Sequence, residues 1–144
     1  MLYQPTDIKV FDNLLDEKVA LQIEEDFDKC PWNVAGNIVS LSNTVLEKYK
    51  DNKNVKDYIK FVHDFYELES QSDNTKIADV VLDAFLLHTN IKKINLLRAK
   101  ANMQTQYAGN KPHMHNSPHV DFLDMPHHVL IYYVNDSDGD TIFF

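Results

Sequence analysis

The eleven residues from Lys111 to Asp121, Lys-Pro-His-Met-His-Asn-Ser-Pro-His-Val-Asp, bring three of the seven histidines and a carboxylate close together in sequence, a grouping that could bind a metal. Five of the seven histidines lie between His113 and His128. In an extended chain residues i and i+2 point to the same face, so His119 and Asp121 project together while Val120 points away. An imidazole and a carboxylate side by side form two adjacent corners of a metal site. A second imidazole from another strand would complete a 2-His-1-carboxylate facial triad, which leaves positions open for substrate and dioxygen. Nitrogen and oxygen donors of this kind suit Fe(II), whereas structural zinc more often recruits thiolate. Cys30 is the only thiol and stands far away in sequence.

A His-x-Asp pair taken alone is common on protein surfaces. This one follows a turn, sits among other histidines and precedes an apolar run, and that context favours a ligand role. His113 and His115 together with His119 could bind a metal adventitiously, although solvated or stacked rings fit their spacing better. His63 and His88 have no partners at ligand spacing and read as ordinary surface or helix-face residues.

Elements that would position this segment can be read from period and punctuation. Ile8-Lys9-Val10-Phe11 alternates like a short strand, and Asp12-Asn13 offers an N-cap. Leu14 to Phe27 then places Leu15, Val19, Ile23 and Phe27 at helical spacing, and Pro31 ends the helix soon after Cys30. Between Ile38 and Ser72 the pattern is weaker. Asn43–Tyr49 and Val55–Tyr66 each read as a helix, broken by Asp51-Asn52-Lys53-Asn54.

Asp73-Asn74-Thr75 can cap a further helix, whose apolar face runs from Ile77 to about His88 before Asn90 closes it. The period then changes. Leu97, Ala99, Ala101, Met103 and Thr105 form one side of a strand, with Arg98, Lys100, Asn102 and Gln104 on the other. Tyr107 to Pro112 is a turn, Val129–Val134 reads as a buried strand, Asn135 to Asp140 as a turn, and Thr141–Phe144 as the start of another strand. Helices first and strands afterwards predict an α+β domain, with N-terminal helices packed on an antiparallel sheet. Residues 1–144 read as a single domain, with a helical support region over about 1–95 and a sheet region over about 96–144.

The 144 residues and 16.7 kDa suit one domain, and 44% hydrophobic residues supply a core. A net charge of −8 argues against general nucleic-acid or anionic-membrane binding, because phosphates need a cationic face. One cysteine excludes an intramolecular disulfide, no apolar run approaches a bilayer span, and the N-terminus lacks signal-peptide character. These features predict a soluble cytoplasmic protein that engages neither membrane nor nucleic acid.

Four stretches taken in order resemble the 2-oxoglutarate- and Fe(II)-dependent oxygenases, and most nearly their prolyl-4-hydroxylase-like branch. They are Tyr107-Ala108-Gly109-Asn110, His119-Val120-Asp121, Ile131-Tyr132-Tyr133-Val134-Asn135 and Gly139-Asp140-Thr141-Ile142-Phe143. That branch places a tyrosine before a Gly-containing turn, a His-x-Asp, a Tyr-Leu-Asn-type strand and a Gly-Gly-x-Thr-x-Phe-type strand in this sequence. The resemblance is carried by Arg98 to Phe144, about a third of the chain, with a looser likeness over Asp12 to Cys30. No single motif is specific; their order and spacing together are.

The resemblance implies a double-stranded β-helix (jelly roll) with supporting helices along one sheet. It makes His119 and Asp121 two of three iron ligands and places Tyr107 and Tyr133 near the 2-oxoglutarate, whose carboxylate their hydroxyls could reach. Fe(II), 2-oxoglutarate as cosubstrate and ascorbate as reductant are the cofactors it implies. The reaction would hydroxylate a C–H bond, of a prolyl residue in a protein first, of a small molecule or free amino acid next. Arg98 and Lys100 lie close in sequence, but register decides which way each faces, so neither is assigned to the dianion.

In the family a distal histidine and then an Arg or Lys for the far carboxylate follow the Gly-x-Thr strand by several tens of residues. They would fall beyond Phe144, so the chain as given reads as the first part of such a domain and is not expected to turn over alone. His127 and His128 stand too near the motif to serve as that histidine. Two other classes remain open. One is a catalytically incomplete relative that acts through protein contacts, with a homodimer formed through exposed strands. The other is a cupin-like metalloprotein using the same histidines with zinc. An open roll ending on an apolar strand is also expected to self-associate.

Overall fold

The computed structural model describes residues 8–35, 60–67, 70–104, 125–137 and 141. Two helices and four strands follow one another along these residues. They are α1 (Glu17–Phe27), β1 (Asn33–Ala35), β2 (Lys60–Glu67), β3 (Ser70–Gln71), α2 (Thr75–Thr89) and β4 (Arg98–Gln104). The fold is therefore α+β. All four strands belong to one sheet in which β1, β3 and β4 each pair with β2. β1 runs antiparallel to β2 with Asn33 opposite Val62 and Ala35 opposite Lys60. β3 is also antiparallel, with Tyr66 opposite Gln71. Three of the four strands precede residue 96.

The chain divides into two compact units, Met1–Cys30 with Phe65–Ala99, and Pro31–Asp64 with Lys100–Phe144. In the first, α1 and α2 pack against one another. Ile23 of α1 and Ile77 and Val81 of α2 are buried together with Cys30 and Phe65. Ile77, Val81 and Phe85 recur every four residues, which keeps one stripe of α2 on the core. Burying each of these aliphatic side chains is worth roughly 1.5–3 kcal/mol. Rings lock the edges: Phe27 meets Phe65 edge-on at 6.0 Å, and Phe11 meets Phe85 edge-on at 5.8 Å. In the second unit Ala35, His63 and Ala101 are buried.

Local chemistry sets the helix ends. The carboxylate of Asp16 accepts from the Lys18 amide at 3.0 Å, so α1 starts at Glu17 and not at Leu14. Asp12-Asn13 instead forms a turn, in which Asn13 takes a positive φ of 55°. Asn90 closes α2 in the left-handed conformation, φ 57°, as an asparagine can at low cost.

Several segments depart from the sequence reading. Ile8–Phe11 forms no strand. The C-terminal half of Val55–Tyr66, expected to be helical, is strand β2, whose backbone is held by pairing on both edges. Val129–Val134, expected to be a buried strand, is not a strand; Val129, Leu130, Ile131 and Tyr133 are exposed and only Tyr132 and Val134 are half-buried. High β-propensity does not make a strand where no partner supplies ladder hydrogen bonds. β4 was legible from its alternation, but Ala101 alone is buried and Met103 is exposed. Expected helix Asn43–Tyr49 and the Tyr107–Pro112 turn lie outside the described residues.

Candidate functional site

Of the four residues that sequence reasoning assigns to a site, His119, Asp121 and Tyr107 lie outside the described residues. Tyr133 lies within them. It is 58% exposed, and its hydroxyl is hydrogen-bonded to the hydroxyl of Thr141. That contact joins two of the stretches that carry the family resemblance. Its neighbour Tyr132 is half-buried, and burial pushes the Tyr132 phenol above its ordinary range. His127, half-buried, engages the Met125 carbonyl through Nδ1 at 3.0 Å, while His128 is exposed.

Among the described residues no group of three His, Cys, Asp or Glu side chains is placed to hold a metal ion. The donor chemistry of His119 and Asp121, one imidazole nitrogen and one carboxylate, nonetheless suits a ferrous ion.

Two polar groups escaped the sequence reading because burial, not residue type, makes them notable. His63 is only 4% exposed, and its Nδ1 lies 2.9 Å from the Pro31 carbonyl oxygen. A carbonyl can only accept, so Nδ1 carries the hydrogen and the tautomer of the neutral ring is fixed. Read as part of a helix, His63 looked like a surface residue. On β2 it shares a face with Phe65, two positions on, and alternation alone would have placed it inside. Cys30 is buried, and its Sγ donates to the Asp26 carbonyl at 3.6 Å. Burial first, and then the Asp26 carboxylate, push the Cys30 thiol above its ordinary range.

Tyr66 and Asp79 form a further polar pair, in which the phenol donates to the carboxylate at 2.8 Å. A hydrogen bond with Thr75 draws the Tyr66 phenol down, but the Asp79 hydrogen bond, burial and the Asp79 charge together raise it. A neutral phenol tied to a carboxylate is a packing device between β2 and α2.

No helix among the described residues is long and apolar enough to cross a membrane. No family model, curated protein or solved structure matches the chain.

Proposed function

We propose that this protein is an Fe(II)- and 2-oxoglutarate-dependent dioxygenase of the prolyl-4-hydroxylase-like kind, working in the cytoplasm on a double-stranded β-helix scaffold. One observation carries the reading: His119-Val120-Asp121 stands between a tyrosine-led Gly turn and two aromatic stretches, in the order that family uses. An α+β chain in which β1 and β3 run antiparallel to β2 is compatible with such a scaffold. The hydrogen bond between Tyr133 and Thr141, which links the last two stretches, supports it further.

In this reading the His119 imidazole and the Asp121 carboxylate would hold the iron. Bound iron, with 2-oxoglutarate and dioxygen, supplies the oxidising power for C–H hydroxylation, releasing succinate and carbon dioxide. The protein's part is binding and orientation. Tyr107 and Tyr133 would donate their phenolic hydrogens to the cosubstrate carboxylate, for which Tyr133 would give up its Thr141 partner. Ascorbate is the reductant that would be required. A prolyl residue of a protein is the leading substrate, and a small molecule the next.

Metal binding and turnover test this separately. The intact protein, with the distal histidine and the Arg or Lys that the family places after the Gly-x-Thr strand, should bind Fe(II), or Mn(II) as its redox-silent substitute, and release succinate from 2-oxoglutarate only with Fe(II) present. His119→Ala and Asp121→Ala should each lose metal affinity and succinate release together. Retention of both properties in both variants would overturn the assignment, as would an intact protein that binds neither metal.

A further inference from the structure

Charge is distributed unevenly along this acidic chain. Between Asp83 and Asp121 it carries Lys92, Lys93, Arg98, Lys100 and Lys111 and not one carboxylate. The start of this stretch is also an apolar surface. Leu87, in the last turn of α2, is 83% exposed, and Ile91 and Ile94 beyond the helix are exposed as well, interleaved with exposed Lys92 and Lys93. The Phe11 ring sits edge-on to His88 at 5.4 Å, which brings Val10, 81% exposed, alongside the same end of α2. Aliphatic side chains this open, gathered at one end of a helix and flanked by lysines, are an unusual use of surface.

The complementary surface belongs to the same chain. The outer side of α1 exposes Glu24 and Glu25 with Leu21, itself 54% exposed, in their midst. Lys18 stands one turn before Leu21 on this helix, and Lys29, four positions after Glu25, is engaged by Asp26 at 2.9 Å. One surface is apolar and basic, the other apolar and acidic. Each is incomplete as a solvent face, and they match in sign.

We infer that the end of α2 with residues 91–94 docks the outer face of α1 from a second copy of this chain. Lys92 and Lys93 face Glu24 and Glu25 across the contact, and Val10, Leu87, Ile91 and Ile94 cover Leu21. Reciprocal docking of the two surfaces closes a two-fold dimer; one-sided docking would propagate. Anionic lipid is the less favoured occupant, because exposed Asp12 and Asp83 flank the patch and the whole chain carries −8. The inference is independent of the oxygenase reading.

Sedimentation velocity of the full chain over a range of protein and salt concentrations tests it. Wild-type protein should associate, and less so as salt rises. The K92E/K93E and E24K/E25K variants, each folded by far-UV circular dichroism, should each associate about tenfold or more weakly. An equimolar mixture of the two should recover association, since every contact then pairs opposite charges again. A monomeric wild type, association indifferent to either charge reversal, or a mixture without recovery would overturn the inference. So would wild-type binding to phosphatidylserine vesicles that K92E/K93E abolishes while the protein alone stays monomeric.

Discussion

His63 and Cys30 show how a residue acquires consequence from its surroundings. The Pro31 carbonyl accepts from the buried His63 ring, so His63→Leu leaves an acceptor without that donor inside the protein. The expected loss is roughly 1–3 kcal/mol, read from urea denaturation, while His88→Leu on the exposed helix end should cost far less. Cys30 gives a pH-dependent prediction. Its folded thiol ionises less readily than an unfolded one, first because of burial and then because of Asp26. Below the ordinary thiol range both states keep the proton and nothing changes. As pH rises through that range the unfolded chain ionises first, so stability falls. The denaturation midpoint should therefore drop above about pH 8.5, and Cys30→Ala should flatten that part of the curve. A thiol reagent should meanwhile label native Cys30 slowly and the denatured chain at once. An alkaline limb unchanged in Cys30→Ala would mean that other groups, Tyr66 and Tyr132 among them, govern it.

Among the elements, the helices were the legible part, because their stops and stripes are written locally. Asn90 was correctly placed as the end of α2, and its left-handed φ explains why an asparagine stands there. Asn90→Gly should be neutral or slightly stabilising, whereas Asn90→Val should cost about 1–2 kcal/mol by thermal melting, since a β-branched side chain clashes in that conformation. The start of α1 was misplaced by a few residues because two Asx positions competed. The Asp16 carboxylate caps the helix, and Asn13 goes to a turn.

β2 was missed for a different reason. Tyr58, Phe61, Val62 and Phe65 satisfy a helical period, while Phe61, His63 and Phe65 satisfy an alternating one. Only pairing with β1, β3 and β4 decides between them, and pairing is not a local property. Val129–Val134 fails in the opposite sense, since its composition is that of a strand and no described strand pairs with it. For the site, the His119-Val120-Asp121 spacing was legible as a donor pair. Burial of His63 and Cys30 was not, because it depends on which strand and which helix end cover them.

At the scale of the whole molecule, the sheet depends on β2. Every other strand among the described residues pairs with it, and the partners differ greatly in how far along the chain they come from. Tyr66 and Gln71 are five positions apart in sequence, but Asn33 and Val62 are twenty-nine apart. Closing the short hairpin costs little chain entropy, and closing the long loop costs more. The β2–β3 hairpin should thus be assembled early during refolding, with β1 arriving after the rate-limiting barrier. Destabilising changes at Tyr66 should slow refolding, and comparable changes at Val34 should chiefly hasten unfolding. A hairpin that forms first also presents the unoccupied parts of β2 to any extended segment that arrives before the native ones. The speed with which β1 and β4 reach their places therefore governs how readily newly made chains misassemble.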